Sequence, residues 1–208
     1  MSTQALVGAV PTIPKYSFRR LARLYLGLAL FGASVGLMVA SHLGVDPWDV
    51  FHQGVAEQIG LSIGTVVIGV SVFVLLLWIP LKQRPGLGTL SNALLVGVAV
   101  DASLVALPEP GAIAPRAAFL VVGIILNGIA TGLYIGAALG PGPRDGLMTG
   151  LALRGYSVRA ARTAIEVTVL VAGWILGGTV GVGTVLYALS IGPLAQLFIA
   201  RFTIADPA

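Results

Sequence analysis

Residues 27–54, GLALFGASVGLMVASHLGVDPWDVFHQG, decide the fold because the chain contains a second copy of them. The copy is residues 123–150, GIILNGIATGLYIGAALGPGPRDGLMTG, at a constant offset of 96 residues (123 − 27). Five glycines, three leucines, one proline and one aspartate are identical between the copies. The match resumes after a one-residue slip, pairing 86–89 with 181–184 and Gly97 with Gly192. Such an internal duplication is typical of small-solute transporters.

The composition requires lipid as the main solvent of this chain. It is 57% hydrophobic and only 10% charged, which is more apolar surface than a soluble domain of 208 residues can bury. Six apolar runs approach the ~20 residues needed to cross ~30 Å of hydrocarbon. They are residues 21–40, 62–80, 86–107, 117–139, 163–180 and 184–200. The absence of cysteine excludes disulfides and thiolate metal sites, and nothing predicts a cofactor.

The placement of the basic residues predicts the orientation of these runs. If the amino terminus is cytoplasmic and six spans alternate, all basic residues except Arg116 fall inside, which is the positive-inside pattern. They are Lys15, Arg19, Arg20, Arg23, Lys82, Arg84, Arg144, Arg154, Arg159, Arg162 and Arg201. This pattern accounts for the net charge of +4 without a nucleic-acid partner. We expect a multi-pass protein of the bacterial cytoplasmic membrane with both termini cytoplasmic.

Because each copy holds three spans, an odd number, the second copy is expected to cross the membrane in the opposite sense. The predicted fold is an all-α polytopic bundle of six transmembrane helices in two inverted three-helix repeats. Its organisation is a cytoplasmic tail (1–18), a first repeat (19–107), an extracytoplasmic connection (108–116), a second repeat (117–203) and a tail (204–208).

Each copy contains a Gly-x-x-Pro-x-Asp loop, residues 44–49 and 140–145. Proline disfavours helix in the residue before it, and aspartate is a strong N-cap, so short helices are expected to begin at Val50 and Gly146 with Asp49 and Asp145 as caps. In one interpretation the short helices are re-entrant and their N-termini face each other near the midplane, where a solute, a cation or a proton binds. In the other they lie flat at the membrane surface.

Further polar residues within the apolar runs are candidates for a substrate or ion path. For the neutral residues Asn92, Asn127 and Gln196, the alternative interpretation is a hydrogen bond from one helix to another. Asp101 and Glu166 are expensive in lipid. They are interpreted either as ion pairs with Arg116 and Arg162 or as carriers of a coupling proton. The candidate path consists of Asp49, Asp145, Arg144, Asn92, Asn127, Thr131, Glu166, Asp101 and Gln196.

Two other groups receive structural interpretations. Gly32 and Gly36, with their equivalents Gly128 and Gly132, have the spacing that lets membrane helices approach closely, within a repeat or across the pseudo-twofold axis. The polar loop residues His42, Asp46, Asp49 and His52 are not expected to bind a metal, because Pro47 interrupts the helix that would align them and the second loop has no histidine.

The loop sequences resemble a known family. GVDPWDVFHQG (44–54) and PGPRDGLM (141–148) are similar to two signatures of the YczE-like bacterial membrane proteins, which are grouped with the YitT and YyaS types. Glu166, GWILGG (173–178), GVGT (181–184) and IGP (191–193) also fit that pattern. The resemblance covers nearly the whole chain from about Arg19. It implies a polytopic protein of the bacterial cytoplasmic membrane and implies no reaction.

Three functions therefore stand at this point. The leading one is a small-solute transporter, not an enzyme, with a midplane site near Asp49 and Asp145 and rocking of one repeat against the other. The second is a membrane scaffold without a path of its own, and the third is an intramembrane enzyme. The expected partners are the lipid bilayer, a small molecule or ion, and, as an open alternative, a second copy of the chain.

Overall fold

The structure is a computed structural model that describes residues 16–204, and these residues form eight helices. They are α1 (Phe18–Ser41), α2 (Pro47–Ile59), α3 (Ile63–Leu81), α4 (Leu87–Ala106), α5 (Ile113–Gly136), α6 (Pro143–Ala152), α7 (Val158–Ile175) and α8 (Val182–Phe202). Lys15, most of the predicted amino-terminal tail and residues 205–208 lie outside the described part.

Five of the described helices, α1, α3, α4, α5 and α8, are long and apolar enough to cross a membrane. Large apolar side chains such as Phe73, Ile79 and Leu189 are exposed on their outer faces, as expected for surfaces in contact with lipid. The chain is thus an integral, α-helical membrane protein. The fifth predicted span, 163–180, is displaced: α7 is Val158–Ile175 because it begins after the Ser157 cap and ends before Gly177, whose φ is +105°. It also carries three charged residues and is not among the five.

The centre of the bundle is the pair α1 and α5, which pack closely and run antiparallel. A Cβ at Gly27 of α1 would lie 2.8 Å from the backbone nitrogen of Tyr134, while one at Gly123 of α5 would lie 2.8 Å from Cγ of Met38. Gly27 and Gly123 are equivalent residues of the two copies, as are Met38 and Tyr134. The contact is therefore reciprocal, and the absent glycine side chains allow the two backbones to approach.

The other helix contacts repeat in the same reciprocal way. Within each half, α1 packs on α4 as α5 packs on α8. Between the halves, α2 packs on α7 as α6 packs on α3. Two equivalent backbone hydrogen bonds also join the halves. The N–H of Gly183 donates to the carbonyl of Leu43 at 2.7 Å, and the N–H of Gly88 donates to the carbonyl of Leu139 at 2.8 Å. Each short helix is thereby seated on a long helix of the opposite half.

The glycine pairs pack inside each half and not across the contact between α1 and α5. Gly32 and Gly36 lie against Ala99 and Ser103 of α4. Their equivalents Gly128 and Gly132 lie against Leu194 and Phe198 of α8. The alternative that these pairs meet across the pseudo-twofold is wrong, because Gly27 and Gly123 occupy the face of α1 and α5 that is turned toward the other half.

The short helices begin three residues earlier than predicted. α2 starts at Pro47 and α6 at Pro143, so Val50 and Gly146 lie inside the first turn. Proline fits the first helical position because its missing N–H is one that no helix bond would use. The cap of α2 is Asp46, whose Oδ1 accepts from the backbone N–H of Trp48 at 2.8 Å and of Asp49 at 3.1 Å. The cap of α6 is Gly142, without a side-chain bond. Asp49 and Asp145 are therefore first-turn residues and not caps.

Candidate functional site

A cavity of about 290 Å³ with charged, polar and apolar side chains in its wall lies between the two halves, and residues of all eight described helices line it. Its lining includes Pro47 and Pro143, the first residues of α2 and α6. Asp46 and Trp48 line it on the α2 side, and Arg144 and Asp145 line it on the α6 side. Six of the nine path residues predicted from the sequence lie in this lining: Arg144, Asp145, Asn92, Thr131, Glu166 and Gln196.

The N-termini of α2 and α6 meet at Arg144. Its guanidinium carbon lies 5.0 Å from the centre of the Trp48 ring, within the range of a cation–π contact. Its nitrogens lie 3.6 Å from Oδ1 of Asp49 and 3.8 Å from Oδ1 of Asp46. The side chain of Arg144 is 23% exposed, whereas those of Asp46 and Asp49 are 3% and 1% exposed. One partly accessible cation from α6 thus faces two buried carboxyl groups at the start of α2. We call Asp46, Asp49 and Arg144 the junction triad.

His52 completes the surroundings of Asp49 from one turn further along α2. Its Nδ1 lies 2.9 Å from Oδ1 of Asp49 and 3.5 Å from Nη2 of Arg144. Arginine can only donate, so the shorter contact places the Nδ1 proton toward Asp49. Burial, and secondly the charge of Arg144, lower the pKa of His52 well below its usual value, which leaves the ring neutral. His52 therefore supplies a hydrogen bond to the carboxylate and no charge.

Asp46 is protonated far more easily than an ordinary aspartate. Burial raises its pKa from 3.8 to about 8, and the neighbouring Asp49 carboxyl adds to the rise while Arg144 opposes it. Within residues 16–204, three buried polar atoms have no hydrogen-bond partner: Oδ2 of Asp46, Oδ2 of Asp49 and Nε1 of Trp48. All three belong to the first turn of α2 or its cap. Buried polar atoms are normally paired, so their concentration at one place makes the start of α2 a candidate functional site.

The second half contributes a different arrangement to the cavity. The hydroxyl of Tyr134 on α5 donates to Oδ2 of Asp145 at 2.8 Å, which holds this carboxylate against the cavity wall. Nε of Arg162 lies 2.8 Å from Oε1 of Glu166 on the same face of α7. The expected pairing of Glu166 with Arg162 is therefore present, one helical turn apart. Both side chains are partly exposed and both line the cavity.

The remaining predicted path residues lie elsewhere. Asn127 is fully buried, donating to Oγ of Ser34 at 2.8 Å and accepting from the hydroxyl of Tyr187 at 3.1 Å, so it joins helices instead of lining the cavity. Asp101 does not pair with Arg116. Its carboxylate accepts from Oγ of Ser62 at 2.6 Å and from the N–H of Gly64 at 2.8 Å, because these groups at the start of α3 need acceptors. Nε of Arg116 donates to the carbonyl of Pro110 instead.

The two halves differ at one pair of equivalent helix contacts. α3 and α4 are closely packed, with Gly64 and Gly97 against each other's carbonyl oxygens. The equivalent helices α7 and α8 barely touch. A Cβ on Gly192, the equivalent of Gly97, would meet no atom within 4 Å among the residues described, and Gly192 lines the cavity. We call these contacts the α3–α4 seam and the α7–α8 seam. The cavity lies where the α7–α8 seam is open.

The sequence alone did not single out Asp46, Trp48 or Tyr134 as lining this cavity, nor His52 as the partner of Asp49. Trp48 was the one with a usable signal, because it follows Pro47 as Arg144 follows Pro143. Two residues at the same place in facing helix starts are expected to meet. The equivalent of Asp46 is Gly142, so a comparison of the two copies does not indicate Asp46 as a shared residue. Within the described part of the chain, no three histidine, aspartate or glutamate side chains are grouped as metal ligands.

A bundle of apolar helices around this cavity defines a polytopic α-helical membrane protein. Residues 18–200 match a family of unknown function, DUF6198, and the chain belongs to this family. It is 33% identical to the "Uncharacterized membrane protein YczE" of Bacillus subtilis over 172 residues, which cover 81% of this chain and 80% of the relative. The resemblance to YczE is thus confirmed.

Two further relatives show the same relationship. An "Uncharacterized protein" of Haemophilus influenzae is 41% identical over 183 residues, covering 88% of this chain and 84% of the relative. The "Uncharacterized protein YyaS" of Bacillus subtilis is 27% identical over 180 residues, covering 83% and 89% of the two chains. No solved structure matches the chain.

Proposed function

We propose that this protein is a small-solute transporter, not an enzyme, in which the solute binds in the cavity between two inverted three-span repeats. One observation carries the proposal: equivalent helices are packed at the α3–α4 seam and parted at the α7–α8 seam. A static scaffold with a duplicated sequence has no need for its two halves to differ at one contact. A transporter that alternates between two states needs this difference in each of them.

The inverted arrangement is supported by the central helices. α1 and α5 hold equivalent places in the two halves and run antiparallel, as helices of opposite membrane orientation must. In this proposal α7 also crosses the membrane, which brings the number of spans from five to six. Its charged residues Arg159, Arg162 and Glu166 all lie in its first half, where Glu166 and Arg162 neutralise each other. Six spans then place both termini in the cytoplasm and give the positive-inside distribution of the basic residues.

This orientation makes the cavity inward-facing. Its lining includes Arg162 and Glu166 in the first half of α7 and Gln196 and Ile199 in the second half of α8. Both places belong to the cytoplasmic half of the protein. On the opposite side the packed α3–α4 seam closes the path. Asp101 of α4 stabilises this seam by accepting hydrogen bonds from Ser62 and Gly64 at the start of α3. Above that seam a second, wider cavity of about 770 Å³ is lined by His42, Glu57 and Asp101 and forms the extracytoplasmic approach.

Transport then consists of the closing of the α7–α8 seam and the opening of the α3–α4 seam, followed by the reverse change. When α7 closes on α8, Gly192 would take the packed position that Gly97 holds here. When α3 parts from α4, the cavity would open to the extracytoplasmic side. The antiparallel pair of α1 and α5 and the seats of α2 and α6 on the opposite halves transmit the movement from one seam to the other.

The test uses two equivalent residues and the absence of native cysteine. Ala195 lines the open cavity, and Val100 is its equivalent, fully buried behind the α3–α4 seam. Each is replaced singly, as Ala195→Cys and Val100→Cys, and treated with a membrane-impermeant thiol reagent in intact cells and in inverted vesicles. Thiol reaction requires that reagent and water reach the sulfur.

We expect Ala195→Cys to react quickly in inverted vesicles and Val100→Cys to react, more slowly, in intact cells. Glu109→Cys in the extracytoplasmic connection serves as the labelling control, and a thermal melt shows whether each variant is folded. Val100→Cys that stays unreactive from both sides, in a folded protein whose control reacts, would contradict alternating access and favour the scaffold.

A further inference from the structure

We propose that Asp46 and Asp49 share one bound proton, and that this proton is the coupling ion of the transporter. The coupling role rests on the proposed function, whereas the proton site itself stands on the geometry of the junction triad. The site is distinct from Glu166 and Asp101, the residues to which the sequence pointed for this role.

The unpartnered oxygen atoms define what the site can hold. Oδ2 of Asp46 and Oδ2 of Asp49 are both buried and neither has a hydrogen-bond donor within residues 16–204. Their Oδ1 atoms are already engaged by backbone N–H groups and by His52. Both Oδ2 atoms are buried away from solvent, so a hydrated cation or a solute does not fit there. A proton does, and it converts one of these two neighbouring acceptors into a donor.

Charge balance leads to the same occupancy. With both carboxyl groups ionised, the junction triad carries a net charge of −1 in a buried position, and His52 is neutral. One proton on the aspartates brings the triad to zero, since the remaining carboxylate is matched by Arg144. Two carboxylates in one buried place hold a proton more tightly than either alone, because the like charges and the burial both disfavour full ionisation.

The place of the triad explains how proton binding is linked to transport. Asp46 lines the cavity, while Arg144 belongs to the helix of the opposite half. Loss of the proton increases the attraction between Asp46–Asp49 and Arg144, and gain of the proton weakens it. The proton therefore acts on the contact between α2 and α6, which is the contact that the two halves make inside the cavity.

Other ionisable groups lie around Asp46 and contribute to the electrostatic field at this site. They are Asp49 and His52 on α2, Arg144 and Asp145 on α6, Tyr134 on α5, Tyr187 on α8, and Arg162 with Glu166 on α7. Asp145 differs from the pair because its Oδ2 already has the Tyr134 hydroxyl as a donor. Asp145 is therefore the matched control, a cavity aspartate that needs no proton.

The test is infrared difference spectroscopy of the purified full-length protein in lipid nanodiscs, with the proton itself as the probe. A carbonyl band of a protonated carboxyl group is expected at neutral pH and should disappear at alkaline pH. Asp49→Asn and Asp46→Asn should each remove the band, and Asp145→Asn should keep it. Asparagine is as good an N-cap as aspartate, so Asp46→Asn preserves the start of α2. A band that survives in both Asp46→Asn and Asp49→Asn, or is absent from the wild type, overturns the proposal.

The coupling role is measured separately by the labelling of Val100→Cys at two pH values. We expect its rate to change several-fold between acidic and alkaline pH, and the change to vanish in Val100→Cys/Asp49→Asn. Labelling that occurs but ignores pH would overturn the coupling role and leave the transporter intact. A titrating band together with a Val100→Cys that never reacts would keep the proton site and contradict transport, so the two failures are distinguishable.

Discussion

Trp48 and Arg144 are equivalent residues of the two halves, 96 positions apart (144 − 48), and the guanidinium of Arg144 lies 5.0 Å from the centre of the Trp48 ring. Two equivalent residues of a twofold repeat can touch only near the axis that relates them. The contact therefore marks the centre of the molecule, where the starts of α2 and α6 meet inside the cavity. The two copies differ at this position, where one has tryptophan and the other has arginine. The difference places the Arg144 cation over the aromatic face of Trp48, beside the two buried carboxyl groups of Asp46 and Asp49.

Removal of the central cation should destabilise the protein strongly. Arg144→Ala leaves Asp46 and Asp49 without their counter-charge, and breaking a buried ion pair typically costs about 3–5 kcal/mol. We expect a clear fall of the thermal midpoint, measured in detergent by the fluorescence of the buried tryptophans. The double variant Arg144→Ala/Asp49→Asn should recover part of the loss, because the unmatched charge is removed with its partner.

Arg162→Ala is the matched control for this prediction. Arg162 also lines the cavity and pairs with an acid, but it is 53% exposed, so its ion pair with Glu166 is screened by water. The midpoint should change little. Equal losses in Arg144→Ala and Arg162→Ala would contradict the special place given to the junction triad.

The equivalent glycines Gly97 and Gly192 should respond in opposite ways to the same substitution. A Cβ at Gly97 would press on the carbonyl of Gly64 and on Ile68, so Gly97→Ala should lower the thermal midpoint. At Gly192 the Cβ meets no described atom within 4 Å, and alanine favours helix over glycine by about 1 kcal/mol, so Gly192→Ala should be neutral or stabilising.

The function of Gly192→Ala should nevertheless be impaired, because the added methyl group hinders closure of the α7–α8 seam. The labelling rate of Val100→Cys from outside is expected to fall several-fold in the Gly192→Ala background. An unchanged rate would show that Gly192 does not pack on α7 in any state that the protein visits.

The contrast between Gly97 and Gly192 also shows how much of the structure could be predicted from the sequence. The repeat pairs Gly97 with Gly192 and treats them alike, and only the packing reveals that one is enclosed and the other open. Local signals were reliable where they are strong: the apolar runs, the Pro-x-Asp loops and the pairing of Arg162 with Glu166. The helix starts were misplaced because proline at the first helical position was interpreted as a break.

The candidate site was recovered in part for a related reason. Residues shared by both copies, such as Asp49 and Asp145, stood out because they match. The residues that make the site asymmetric, Asp46 and Trp48, did not stand out because their equivalents are Gly142 and Arg144. For Asn127 the sequence left two physical outcomes open, lining water or bonding to another helix, and only the tertiary structure selects between them.

Stability should fall as pH rises through the neutral range, and Asp46 should be responsible. Its pKa of about 8 in the folded protein exceeds the usual 3.8, so the folded state keeps a proton that the unfolded state has released between these values. The free energy of unfolding therefore decreases with rising pH in this window, by at most about 1.4 kcal/mol per pH unit.

His52 acts in the opposite direction but only at lower pH. Its lowered pKa makes stability rise with pH up to its unfolded value of 6.5. The effect of Asp46 is therefore isolated between pH 6.5 and about 8. Thermal midpoints over this range should fall for the wild type and stay flat for Asp46→Asn. Parallel declines in the two proteins would show that another group titrates.

The seat of α6 on α3 depends on Trp78. Its Nε1 donates to the carbonyl of Pro143 at 3.0 Å, and its ring fills the space that Gly146 leaves. Trp78→Phe removes the donor from a buried carbonyl and should cost about 1–3 kcal/mol. Trp174 holds the equivalent position on α7 but is 65% exposed, so Trp174→Phe should leave the thermal midpoint nearly unchanged. A larger loss in Trp174→Phe than in Trp78→Phe would contradict this packing.

The most direct test of the central claim is whether the α7–α8 seam ever closes. The pair Ala164→Cys/Gly192→Cys is equivalent to Ile68 and Gly97, which are in contact in the α3–α4 seam. A disulfide needs Cβ atoms about 3.8 Å apart, and nothing described lies within 4 Å of a Cβ at Gly192, so the α7–α8 seam as it stands open in this structure does not allow the bond. Leu81→Cys/Gly150→Cys, whose Cβ atoms would lie 3.3 Å apart between α3 and α6, serves as the control for oxidation.

Alternating access predicts that mild oxidation of membranes traps the Ala164→Cys/Gly192→Cys disulfide, and that the trapped protein no longer admits thiol reagents from the cytoplasmic side. If the control pair forms its disulfide and the Ala164→Cys/Gly192→Cys pair stays reduced, the seam does not close and the account of this protein as an alternating-access transporter is contradicted.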